Sequence, residues 1–411
     1  MKSRLIIRLV LIAAFLCLFT LVTGCTFGQD LDSRLKTVTK QHRFDFVRWE
    51  INTIGGELAK VFNGGPDISG EDTSTVLEYF ANVAEIKRLE AEIRALQSGN
   101  RQGDLTSLND KINRLRQRNG EIVESVEKIL EGQIREALSE QGIYNPIERY
   151  TGIKTGFPPV NFILDRPPHL LVVSPRDRIE SIREVALLPE MTQDEMEIIE
   201  SETDELGFSS LVVNLGGIAT YPNFVTETGD LTFVLNTVSE EWLHQYLAFT
   251  PLGFRYILDL AGLKRDYEIA SINEAVAGIV SKEIGAIVYD KYYASETNNG
   301  EMEVPENGFD FNKEMREIRK AVDDYLARGE IVQAEEFMEQ KRRFLAEYGY
   351  HIRKLNQAYF AFHGTYAAAP TSISPIGDEL RTLRSRSVSL KVFLDTVAVM
   401  TSRQDLVESV N

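Results

Sequence analysis

The chain is 411 residues long and carries 62 acidic residues against 45 basic ones, a formal charge of -17. That excess argues against nucleic acid as a partner and against attachment to anionic lipid through a basic patch. The length suffices to bury a core as one unit with helical additions.

The first 25 residues read as a targeting segment. MKSRLIIR gives a basic start, LVLIAAFLCLFTLV an apolar run of about 14 residues, and LVTGC a small-residue processing site. The apolar run is short for a membrane span. Gly24-Cys25 at its end is the pattern of a bacterial lipoprotein signal, with cleavage before Cys25 and a lipid on its thiol. The expected location is therefore the extracytoplasmic face of the cell membrane, with the bilayer a partner through the acylated Cys25. An uncleaved N-terminal anchor would leave the chain on the same face. Cys17 departs with the signal, so no cysteine remains for a disulfide and the core alone must stabilise the fold.

Beyond that segment the chain divides at residues 26–143, 144–300 and 301–411. Residues 30–62 read as helical, and NGGPDISGED (63–72) breaks the pattern. Ile86, Leu89, Ile93 and Leu96 alternate by three and four. After QSGNRQGD (97–104) the alternation resumes through Leu105, Leu108, Ile112, Leu115, Asn119, Ile122, Val126 and Ile129. This spacing predicts an antiparallel helical hairpin with a coiled-coil-like seam and Asn119 as a register-setting position. The reading is a structural arm, and no partner for it is indicated.

From 144 to 236 the texture is β-rich, with HLLVVSP (169–175) and FSSLVVNLGGIATYP (208–222) as strands of a small mixed sheet. Apolar helices follow over 231–249, stopped by Thr250-Pro251, and over 269–288. After the acidic loop ASETNNGEMEVPENG, helices are expected over 311–348 with a break near Gly329, over 353–367 and over 376–402. The expected class is α+β, predominantly helical.

Two stretches carry chemistry. On the first apolar helix, Leu231, Leu235, Val238, Trp242, Tyr246 and Phe249 form one stripe, extended by Leu243 and Leu247. Glu240 and His244 lie on another face with Glu241 beside them. Carboxylates and an imidazole on a largely buried helix are costly without a metal ion or basic partners. On the second helix Glu274 interrupts an apolar pattern, and Ala277, Gly278 and Ser281 continue its face as a small strip suited to close approach.

The pair TVSEEWLH and SINEAVAG resembles the gluzincin metallopeptidases, the thermolysin-like group, in which one helix carries HExxH and the next an NE-containing motif. LNQAYFAFHGTY is similar to a segment of bacterial aminopeptidases of that group. The likeness covers roughly 205–300, loosely 350–402, and not the hairpin. It implies a zincin-type core over 144–300, zinc as cofactor and a peptide or protein as substrate. His244 then matches the second histidine ligand, Glu274 the glutamate ligand, and Glu241 the general base; Asn273 precedes the glutamate ligand. Asn356, Tyr359, His363 and Tyr366, on one side of a late helix, are candidates for substrate or transition-state contacts.

Two positions depart from the pattern. Glu240 replaces the first histidine, and Gly278 stands where an aspartate often supports a ligand histidine. A glutamate oxygen reaches about as far as the distal imidazole nitrogen, so Glu240 serves as a substitute ligand. Two carboxylates and a neutral imidazole already cancel a dication. The expectation is weaker zinc binding, or another divalent metal, and slower hydrolysis. The rival reading is an inactive peptidase-fold lipoprotein that binds a partner in the envelope. A third makes Glu240, Glu241 and Glu274 salt-bridge members facing Lys or Arg.

Overall fold

A computed structural model describes residues 29–45, 72–97, 104–148, 152, 154–260, 263–295, 309–364 and 374–410. The first 28 residues, where a targeting segment with Cys17 and Cys25 is expected, most of the 46–72 stretch, most of the acidic loop and Tyr366 lie outside the described residues. Among the described residues there are thirteen helices and two three-stranded sheets, so the fold is mainly helical with a minor β component. No described helix is long and apolar enough to cross a membrane.

Helix α1 (Gln29–Val38) precedes the hairpin of α2 (Thr73–Gln97) and α3 (Leu105–Glu140). Arg118 pairs with Glu78 and Lys111 with Glu85, which sets the two helices antiparallel. Asn119 is buried in the seam, and its Oδ1 accepts from Asn82 Nδ2 at 2.9 Å. The seam is not uniform. Val76, Tyr79, Phe80, Val126, Ile129 and Ile134 at the hairpin base join the main core, whereas Ile93, Leu96, Leu108 and Leu115 are half-buried.

Strand β2 (His169–Pro175) lies between β3 (Arg183–Leu187) and β4 (Phe208–Val213), antiparallel to both. The second sheet has β6 (Asn223–Val225) at its centre, parallel to β1 (Phe162–Leu164) and antiparallel to β5 (Gly217–Ile218). The single mixed sheet expected from sequence is thus two sheets, and only the second is mixed. The run 208–222 breaks at 214–216, where Thr226 takes the carbonyls of Leu215 and Gly216 at 2.8 Å each. Glu127 and Glu131 of α3 accept from the backbone N–H groups of Leu164 and Phe162, closing the outer edge of β1.

A helix that the β-rich texture concealed, α4 (Gln193–Asp204), packs on the first sheet with α1 around Leu35, Leu171, Val173, Leu187 and Ile199. Thr192 and Glu195 form a reciprocal capping box at its start.

Asp230 caps α5 (Leu231–Leu247) by accepting from Phe233 N, and Asp266 caps α7 (Tyr267–Tyr292) by accepting from Ile269 N. Between them runs α6 (Pro251–Leu260), so Pro251 both bars continuation of α5 and opens a new helix. Helices α5 and α7 share one apolar core with the hairpin base and the C-terminal helices. Within the expected small strip Ala277 and Ser281 are buried, but Gly278 is not a point of close approach. A Cβ on Gly278 would meet nothing within 4 Å, whereas one on Gly285 would stand 2.0 Å from Asn236 Oδ1.

Helices α8 (Phe311–Ala327) and α9 (Ile331–Glu347) form a hairpin turning at Gly329, which has a positive φ. It has its own core around Met315, Ile318, Val322, Met338 and Leu345. Helix α10 (Gln357–His363) starts later than expected, because Arg353 and Lys354 are engaged by Glu200 and Asp204 and Asn356 is the cap. The final segment is three helices, α11 (Ile376–Arg386), α12 (Leu390–Val397) and α13 (Arg403–Val410), with Ser389 capping the second.

Candidate metal centre

The apolar stripe of α5 is buried as its spacing predicts: Leu231, Leu235, Val238, Trp242, Leu243, Tyr246 and Leu247 all lie in the core. With that stripe fixed, the helix turns Thr237, Glu240, Glu241 and His244 toward a cavity of about 1320 Å³. Its walls come from β3, β5, α5, α6 and the first turns of α7, with Phe360, Ala361 and Phe362 of α10 closing one side.

Glu240, His244 and Glu274 each offer a donor atom, and these atoms lie within 4.8 Å of one another. The His244 Nε2 to Glu274 Oε2 distance is 3.6 Å. His244 Nδ1 lies 3.0 Å from Asn273 Oδ1. A carbonyl oxygen only accepts, so the ring nitrogen facing it carries the hydrogen; Nε2, turned toward the two glutamates, then offers a lone pair in the neutral imidazole and an N–H in the imidazolium. The Tyr256 hydroxyl donates to Glu274 Oε1 at 2.5 Å, leaving Oε2 for the cluster, and the Tyr256 ring stacks on His244 at 6.1 Å between centroids.

Burial pushes the Glu240 carboxyl above the usual carboxylate range; His244 opposes the shift, Glu274 adds to it, and Lys282 opposes it. Burial likewise raises Glu241, up to about 8, opposed by His244 and reinforced by Glu240 and Glu274. Burial alone would lower His244, but Glu274, Glu241 and Glu240 together outweigh it, and the imidazole is raised. Three carboxyl groups and one imidazole are thus crowded together. Among the described residues the only ion pair that any of these carboxylates makes is that of Glu274 with His244. Among the described residues no Lys or Arg forms an ion pair with Glu240, Glu241 or Glu274, and Lys282 acts on Glu240 without pairing with it.

A divalent cation fits the donor set. Carboxylate oxygen and imidazole nitrogen both bind zinc at about 2.0–2.2 Å, which places neighbouring donors in a tetrahedral site roughly 3.4 Å apart. The His244–Glu274 pair is already at that separation. Glu240, on a flexible side chain, is the ligand that closes the set.

Of the late-helix candidates, Asn356, Tyr359 and His363 do not line this cavity, and Tyr366 is outside the described residues. Asn356 is not on the helix face at all: its Oδ1 accepts from Tyr359 N and its Nδ2 donates to Ser210 O, tying α10 to β4. Tyr359 packs into the cores beside it, and its ring lies tilted against that of His363 with centroids 4.3 Å apart. The sequence reading missed Tyr256, since α6 was not expected, and it marked Asn273 by position without its contact to His244.

No family model matches the chain, and no curated protein and no solved structure matches it.

Proposed function

We propose that the chain is a metallopeptidase of the gluzincin type, hydrolysing peptides in the cavity above α5 and α7. The observation that carries this reading is the convergence of Glu240, His244 and Glu274, none of which forms an ion pair with a Lys or Arg among the described residues. A divalent cation would relieve the crowding of carboxylates in this half-buried cluster. Glu240, His244 and Glu274 would hold it, with Asn273 orienting the imidazole and Tyr256 the Glu274 carboxyl. A divalent cation bound there supplies Lewis acidity toward a peptide carbonyl and acidifies water.

Glu241 follows Glu240 on the helix and contributes no ligand atom to the cluster. It is the group to take the proton from the attacking water and hand it to the amide nitrogen as the C–N bond breaks. Phe233, Ile257 and Phe362 give the cavity lining an apolar part that could receive substrate side chains. The zincin-type core, the lipid attachment at Cys25 and the extracytoplasmic location belong to the same proposal. Glu240 favours one further reading, an inactive peptidase fold that binds a partner, because its extra carboxylate neutralises the cation.

Metal stoichiometry of the full chain, of His244→Ala and of Glu240→His tests this. Wild type is expected to hold about one divalent ion per chain and His244→Ala far less. A metal-free wild type indifferent to both changes would sink the metal site. Metal retained only in Glu240→His would mark the inactive fold. With metal present in wild type, loss of peptide hydrolysis in Glu241→Gln assigns catalysis, and its absence from wild type leaves a binder.

A further inference from the structure

At Gly217, in the two-residue strand β5, an added side chain would meet the proposed base. A Cβ built there would lie 2.7 Å from Glu241 Oε1, 3.0 Å from Glu241 Cγ and 2.6 Å from Thr237 Cγ2. Carbon atoms in ordinary contact stand about 3.5–4.0 Å apart, so a methyl group cannot be added without movement. Gly217 is not among the glycines with positive φ. The glycine is therefore required by space and not by backbone conformation.

The strand cannot easily retreat. Gly217 pairs with Val225 and Ile218 with Phe224 of β6. Thr226 N donates to Gly216 O at 2.8 Å. Gln245, buried on α5, donates from Nε2 to Thr220 O at 2.5 Å and to Asn223 Oδ1 at 2.6 Å. The helix that carries Glu241 thus also holds the β5–β6 hairpin, and the parts free to move are the Glu241 and Thr237 side chains.

We infer that Gly217 is a positioning residue for Glu241: the β5 backbone is the wall against which the Glu241 carboxyl is set, and any side chain at 217 displaces it. The role inferred for Gly217, which lines the same cavity, is exerted through Glu241. The packing relation stands by itself, whereas its consequence for turnover rests on the proposed peptidase function.

A double-mutant cycle in the full chain carrying Thr237→Ser, which removes the second colliding methyl, isolates the contact. Gly217→Ala is expected to lower Tm by at least about 2 °C with Glu241 present, because overpacked sites resist added methyl groups. With Glu241→Ala in the same background the loss should fall below about half of that, since the space is empty. Equal losses in the two backgrounds overturn the inference. Turnover gives the second readout: in Gly217→Ala kcat should drop on the order of tenfold to hundredfold with KM within about twofold and metal content unchanged. A raised KM with kcat kept overturns the positioning role. If wild type hydrolyses no peptide, the proposed function has failed, and the Tm cycle still decides whether Gly217 confines Glu241.

Discussion

His244 presents Nδ1 to Asn273 Oδ1 across 3.0 Å, so the residue just before one proposed ligand fixes the ring of another. Asn273 is buried, and its own Nδ2 finds no partner among the described residues, which makes the Oδ1 contact its one side-chain role. Asn273→Ala should lower metal affinity by about 10–100-fold, the usual cost of losing a group that orients a ligand imidazole. Asn273→Asp keeps an acceptor and should retain most of the affinity. Competition with a chromogenic chelator measures both; Asn273→Ala binding as tightly as wild type would remove Asn273 from the site.

Tyr256 does for Glu274 what Asn273 does for His244. Its hydroxyl occupies Oε1 and directs Oε2 to the cluster. In Tyr256→Phe the ring and its stacking on His244 remain while the donor is lost, so metal affinity should fall roughly tenfold. The accompanying stability loss should stay within about 1.5–3 kcal/mol, the range for a hydrogen bond to a charged group. Thermal unfolding of the apo protein beside a metal titration separates the two effects. A large stability loss with unchanged affinity would show that Tyr256 supports the fold and not the ligand.

Much of the frame was legible because single elements declare themselves. Helix α5 has its apolar stripe and the cap Asp230, and the hairpin has its three-and-four alternation. The convergence of Glu240, His244 and Glu274 was readable because a stripe on each helix fixes which face remains. Helix α4 was not readable: QDEMEIIESETD buries only Ile199 among its apolar residues, and it sits between strands. Asn356 was misassigned because an asparagine before a helix suits a face and a cap equally, and only the contact to Ser210 decides. Tyr256 and Gly217 depend on how α6 and β5 meet α5 and α7, which no local pattern encodes.

The open space at Gly278 bears on the altered ligand. Helices α5 and α7 run antiparallel, since Asn236 meets Gly285 and, two turns on, His244 meets Glu274. Gly278 therefore stands close to the level of Glu240, and a Cβ there would meet nothing within 4 Å. Glu240→His should raise zinc affinity, and Gly278→Asp added to it should raise affinity by about a further tenfold by orienting the new imidazole. The preference for zinc over manganese should widen as nitrogen replaces oxygen. Competition titrations with both metals read the series, and a double variant no tighter than wild type would mean that the helices do not set these positions against each other.

His363 gives a pH dependence independent of the metal centre. Burial alone lowers its pKa, to about 4, and burial raises its neighbour Tyr359 to about 12, so Tyr359 stays neutral throughout. Between pH 6.5 and about 4 the unfolded chain binds a proton at His363 that the folded chain refuses, and stability therefore rises with pH across that window. The contribution is fully present above pH 6.5 and is lost as pH falls toward 4. Its size is on the order of 3 kcal/mol, from the fall from 6.5 to about 4 at about 1.4 kcal/mol per pH unit. His363→Phe keeps a ring against Tyr359 and Phe362 and removes the proton site. Its stability should fall less steeply than that of wild type between pH 7 and 4.5, measured by chemical denaturation at each pH. Parallel curves for the two proteins would show that the His363 ring reaches solvent and takes up its proton in the folded state.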